Sequence, residues 1–240
     1  MFVTGTDRRI MIKKVLEPFI EDMKKEIGDR NLIVKVNMAD KIDLLSNTHP
    51  DALRGLLDIV SSFYKKRITI AECTLSKETF PVLCGNYGYH PLASEYPVDF
   101  VELHDGPSSP MFILGKHLKP QHIEILDVFT NPDNFIVSIT PPKIHDVVVV
   151  TAGLKNIVMA SPKNIENVSS KYSMHGNGPW WLNYNLFTIA QKVHPHFTII
   201  DGREIVMGMV RCRIPVIAAV NGPALGLGCS VVALSDVVYM

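Results

Sequence analysis

Lysines, asparagines, histidines and carboxylates fall at or just beyond the ends of several apolar runs in this chain. Lys35 and Asn37 close the run NLIVKVN, Glu72 closes ITIAE, Lys143 and His145 follow FIVSITPP, and Asp201 closes FTIID. Lys155 and Asn156 stand inside the apolar stretch VVVVTAGLKNIVMA, Lys163 just after it, and His175 in the polar segment that follows. If the runs are strands of one parallel sheet, these groups converge at its carboxyl edge, where open α/β sheets bind ligands. The mixture suits a small carboxylate or phosphate anion. Lysine supplies charge, His145 or His175 can exchange a proton near neutral pH, and Glu72 or Asp201 can orient an imidazole. The same four side chains, His145, His175, Glu72 and Asp201, are donors for a divalent metal, although no two have diagnostic spacing. No organic cofactor is evident. Against this stands a plainer reading, in which Lys35 snorkels from an edge strand and Lys155 and Lys163 are solvated charges.

The elements that must position these groups are legible as a pattern. Thr6 or Asp7 caps a helix whose apolar positions run from Ile10 to Met23, with Pro18 as a kink. A strand at Asn31 to Val36, a helix ALRGLLDIVSSFY led in by Pro50, and a strand at Ile68 to Glu72 make a unit of the kind that builds parallel sheets. Short apolar runs between Phe100 and Phe129, broken by DGPSSP and KPQH, predict a strand-rich insertion. The core pattern resumes at Phe135 to Thr140, and Pro141-Pro142 forces an extended exit. A helix near Leu182 to Val193 and a strand ending at Asp201 follow. The expected fold is α/β, a mainly parallel sheet with flanking helices and an insertion near 100–130.

Composition narrows the functional classes. With 240 residues, 47% of them hydrophobic, the chain can bury a large core. Lysines and arginines number 24 and so do acids, so no global field gathers nucleic acid or an acidic membrane surface. Any anion recognition must be local. The 4 cysteines include no close pair, which points to a reducing cytoplasm and away from a disulfide framework. Two arginines, two lysines and an acid near the start of the chain interrupt any secretory signal. Ile214 to Ser235 carries no charge and has the length of a membrane span, but Asn221-Gly222-Pro223 breaks it into a strand, a turn and a helix of a buried core.

The succession KVN, THPDALRGLLDIV, ITIAE, GYHPLASEYPVDFVEL, ITPPKIHDVVVVTAGLKNIV and PHFTIIDG resembles the family called domain of unknown function 362 over residues 7–202. That resemblance strengthens Lys35, Asn37, Lys143, His145, Lys155 and Asn156 as site residues and supplies no reaction. The remaining segment, residues 203–240, resembles a truncated internal fragment of the crotonase (enoyl-CoA hydratase/isomerase) family in the strand PVIAAVNG, the turn ALGLG and the strand SDVVYM. The second resemblance implies an oxyanion turn at Gly226, Leu227 and Gly228, with the Leu227 N–H facing a thioester oxygen and acyl-CoA as ligand. Ser230 stands where a hydratase carries its glutamate.

The sequence therefore predicts a first domain, residues 1–202, that binds a small anion in a Lys/His crevice, joined to the crotonase-like segment. Its chemistry would be proton transfer or metal-assisted reaction. Acyl-CoA binding through the tail and a non-catalytic binding module are the alternatives. Neither nucleic acid nor membrane is expected as a partner.

Overall fold

The computed structural model describes residues 5–38, 44–74, 79–145, 149–164, 171–176, 178–202, 217–219 and 237–239. Helix α1 (Arg8–Leu16) is capped by Asp7, whose Oδ1 accepts from the Ile10 N–H at 2.9 Å. Pro18 brings no N–H to the ladder, and a 3-10 turn at Glu17–Phe19 separates α1 from α2 (Ile20–Ile27). Strand β1 (Asn31–Lys35), helix α3 (Pro50–Phe63) and strand β2 (Ile68–Glu72) form the expected unit. His49 caps α3, its Nδ1 accepting from the Asp51 N–H at 3.1 Å.

Two short helices, α4 (Phe80–Asn86) and α5 (Leu92–Glu95), lead to β3 (Val98–Glu102). An antiparallel hairpin, β4 (Ser108–Leu114) and β5 (Pro120–Leu126), precedes β6 (Asn134–Thr140). Beyond it come a second hairpin, β7 (Lys143–His145) with β8 (Val149–Thr151), then α6 (Gly153–Val158), α7 (Lys171–His175), α8 (Pro179–Ala190) and β9 (Phe197–Ile200). In the tail, β10 (Ile217–Ala219) and β11 (Val237–Tyr239) pair in parallel, where two strands were expected. Gly226, Leu227 and Gly228 lie outside the described residues.

The main sheet has the order β3-β2-β1-β6-β9, and every pairing in it is parallel. The chain lays β1, β2 and β3 outward to one side, then returns to add β6 and β9 on the other. The direction of winding therefore reverses between β1 and β6, and in open α/β sheets such a reversal marks the carboxyl ends of those two strands as the place where ligands bind. The expected insertion is smaller than its apolar runs suggested. β3 belongs to the main sheet, paired with β2 from Ile68↔Val98 to Glu72↔Glu102, and of the expected insertion the hairpin β4–β5 is the part that stands outside it.

Strand alternation sorts the core into two layers. Leu32 and Val34 of β1, with Val137 and Ile139 of β6, pack with Leu16, Leu53 and Leu56 of the first helices. Ile33 and Ile136 face the other way, among Ile113, Ile123, Ile157 and Leu182 from the hairpin, α6 and α8. Among the described residues no helix is long and apolar enough to cross a membrane.

Candidate functional site

At the carboxyl ends of β1 and β6 a polar cluster lies where the sheet's apolar pattern stops. Lys35, the last residue of β1, is 1% exposed, and its ammonium would carry a prohibitive desolvation cost without partners. It has three: Glu72 Oε1 at 2.5 Å, the Val36 carbonyl at 2.7 Å and Asn156 Oδ1 at 3.3 Å. Glu72, at the end of β2, is also buried and accepts the N–H groups of Met38 and Cys73, each at 2.8 Å. Hydrogen bonds of this number and length hold the carboxylate in one orientation.

Asn156 comes from α6 and joins the strands. Its Nδ2 donates to the Lys35 carbonyl at 3.3 Å and to Ser138 Oγ at 3.1 Å, while its Oδ1 also accepts from Asn37 Nδ2 at 3.0 Å. Ser138 of β6 sits opposite Lys35 in the sheet register and donates to the Gly153 carbonyl at 3.1 Å. Gly153 opens α6 against β9. A Cβ there would stand 2.1 Å from Thr198 Cγ2, so only glycine lets the helix come close enough for Asn156 to reach β1. Thr48 fixes Asn37: its Oγ1 accepts the Asn37 N–H at 2.8 Å and donates to the Ile139 carbonyl at 2.7 Å.

Lys143, the first residue of β7, brings a second cation into this cluster. Its Nζ donates to Asn37 Oδ1 and to the Ser46 carbonyl at 3.0 Å, both of them uncharged acceptors. Burial lowers its pKa from 10.5 to about 8, with Glu72 pulling the value up and Lys35 pushing it down. Lys35 and Glu72 neutralise one another, so the charge left in the cluster is that of Lys143. A cation of this kind attracts a small anion and can lose a proton near neutral pH.

The other sequence candidates lie as follows. Lys155 precedes Asn156 on α6 and is half-buried. Lys163 donates to the Gly106 carbonyl at 2.9 Å, beside the β4–β5 hairpin. His175 ends α7 and is half-buried, and its carbonyl accepts from Gly178 at 3.2 Å. Asp201, just past β9, forms an ion pair with Arg8 at 2.5 Å, and both side chains are buried. The backbone of His145 pairs with Val149, and its side chain is outside the described set. Among the described residues no three His, Cys, Asp or Glu side chains are arranged to hold a metal ion.

Thr48 and Ser138 are site residues that reading the polar positions missed. Ser138 had a signal, since it is the one hydroxyl inside the apolar stretch FIVSI and falls on the face of Ile136. Thr48 had none, because its role depends on a carbonyl of β6 far away in sequence. A cleft of about 390 Å³ lined by Phe19, Phe135, His196 and Phe197 lies at the amino ends of β6 and β9, away from this cluster.

A family model for a domain of unknown function, DUF362, matches residues 32–238. The chain belongs to the DUF362 family. The match runs through the glycine-bearing tail, and the crotonase likeness expected for residues 203–240 has no support from it. No curated protein matches the chain. Among solved structures, a Thermotoga maritima protein is similar over 83% of this chain and 52% of its own, at 13% identity and TM-score 0.55. The lactate racemase apoprotein from Thermoanaerobacterium thermosaccharolyticum is similar over 83% of this chain and 53% of its own, at 14% identity and TM-score 0.53. This DUF362 chain thus spans about half the length of either structure and shares their α/β fold.

Proposed function

We propose that this chain binds a small carboxylate or phosphate anion in the crevice between β1 and β6, with Lys143 as the cation that meets it, and that Lys143 passes a proton to or from the bound compound. One observation carries the reading: a half-buried lysine whose hydrogen-bond acceptors are uncharged oxygens stands at the switch point of a parallel sheet. Lys35 and Glu72 form a fixed ion pair behind it, and Asn37 and Asn156 supply amide groups that orient rather than charge the site. A neutral lysine in a partly desolvated site is a general base, and its protonated form a general acid. The fold shared with a lactate racemase apoprotein makes a small hydroxycarboxylate the first compound to try. Cys73 and Cys84 carry no disulfide, which suits the reducing cytoplasm in which we place the protein.

Calorimetric titration of the whole chain with lactate, inorganic phosphate and a short acyl-CoA tests the reading. Binding of lactate or phosphate that weakens at least tenfold in Lys143→Met, about 1.4 kcal/mol, is the expected result. Heat from acyl-CoA alone, unchanged in that variant, would instead favour the oxyanion turn of the tail. Incubation of the ligand in deuterated water separates catalysis from plain binding, since a proton-transfer site introduces deuterium beside the carboxylate and a binding module does not.

A further inference from the structure

A second cluster lies at the neighbouring strand ends, where β2 and β3 finish. Cys73 follows β2; its thiol donates to the Leu103 carbonyl at 3.0 Å, and its Sγ lies 3.6 Å from His104 Nδ1. On the other side of that ring, His104 Nε2 is 2.7 Å from Glu102 Oε1. Glu102 is held by Thr74 Oγ1 at 2.8 Å and by the Phe80 N–H at 3.4 Å. The carboxylate fixes the tautomer, because an acceptor at Nε2 keeps the proton there and leaves the Nδ1 lone pair toward the thiol. The Asn164 amide, 3.2 Å from Nδ1, donates to the same lone pair in this orientation. Its Oδ1 is buried and has no hydrogen-bond partner among the described residues. Rotating that amide by half a turn gives a protonated Nδ1 an acceptor, so Asn164 can serve both protonation states.

We propose that Cys73, His104 and Glu102 form a peroxide-reactive thiol site, next to the anion cluster but using none of its side chains, whose substrate is hydrogen peroxide or a small organic hydroperoxide. As the Asn164 amide turns away from Nδ1, the thiol proton turns from the Leu103 carbonyl and passes to His104 Nδ1, and the sulfur attacks the terminal oxygen of the hydroperoxide. The S–O bond forms as the O–O bond breaks. Sulfur is oxidised by two electrons to the sulfenic acid, and the departing alkoxide or hydroxide takes the proton from His104 and leaves as alcohol or water. Cys73 is 3% exposed, so the smallest hydroperoxide, hydrogen peroxide itself, is the probe used first. The ring stays basic enough for the task, since Cys73 first and then Glu102 hold His104 above its ordinary pKa against the effect of burial. Cys84 is an internal contrast. It is equally buried, and its thiol is pushed up to about 12.

The test exposes the folded full-length chain to hydrogen peroxide for a set time, removes the peroxide, unfolds the chain in the presence of a sulfenic-acid probe, and reads the tryptic peptides by mass spectrometry. Cys73 and Cys84 fall in separate peptides, because Arg67, Lys77 and Lys116 bound them. Cys73 is expected to label about tenfold faster than Cys84 or more, and His104→Asn to remove most of that advantage. Labelling of Cys73 no faster than Cys84 in the unaltered chain overturns the proposal without recourse to any variant. Equal labelling of Cys73 in His104→Asn and in the parent, with melting temperatures matched, overturns it as well. Glu102→Gln is the second variant, expected to slow Cys73 to a smaller degree because Nε2 keeps an acceptor.

Discussion

Lys143 and Lys35 are both lysines at the carboxyl edge of one sheet, yet their surroundings give them opposite duties. Lys35 is saturated, with a carboxylate, a carbonyl and an amide oxygen around one nitrogen. Substituting it as Lys35→Met leaves Glu72 buried and unpaired, which costs about 3–5 kcal/mol in chemical denaturation, and adding Glu72→Gln recovers most of the loss. Lys143 is held by neutral oxygens at a pKa of about 8, so its charge is present below that pH and fades above it. Lactate affinity measured by calorimetry is therefore expected to fall about tenfold per pH unit above 8 and to be flat between about pH 6 and 8, where lactate itself does not titrate. The sign for folding is the reverse. The unfolded lysine binds its proton more tightly, so the cost of burying Lys143 is fully present below pH 8 and disappears toward 10.5. Lys35, Asn37 and Lys143 were legible in the sequence because a polar residue at or just past the end of an apolar run has few structural reasons to be there, and Asn156 through the family resemblance. The role of Glu72 as counter-ion was not, since it depends on β1 and β2 being neighbours in parallel register.

The elements are positioned by a few close approaches. Helix α6 delivers Asn156 only because Gly153 lets it rest on β9. Gly153→Ala is expected to destabilise the protein by about 1–3 kcal/mol and to weaken anion binding, as the added methyl group pushes α6 and Asn156 away from β1. Pairing it with Thr198→Ala, which removes the Cγ2 in the way, should restore part of both losses in thermal melts and titrations. The strand-helix-strand unit, the proline-led start of α3 and the Asp7 cap follow from local chemistry and were readable in the chain. The membership of β3 was not. Whether a short apolar run joins a sheet or an insertion depends on the strand it meets, here β2, and nothing within the run itself records that partner.

At the scale of the molecule, the described residues centre on a five-stranded sheet whose winding reverses between β1 and β6, with helices and a hairpin covering its faces. The Arg8–Asp201 pair ties the first helix to the end of the last strand of that sheet, which gives Asp201 a buried structural partner on the side of β9. The fold class was legible because parallel strands buried on both faces read as continuous apolar runs. The reversal point was not, since strand order is set by which helix covers which face. The central claim is that Lys143 is the cation that meets the ligand. Nuclear magnetic resonance of the full chain with ¹³C-labelled lysine follows the Lys143 ε-carbon through a pH titration, with and without lactate or phosphate, using Lys143→Met for assignment. The expected result is a pKa of about 8 in the unliganded protein that rises when the anion is added. A Lys143 signal that titrates at the ordinary lysine value, and does not move with either anion, would contradict the account.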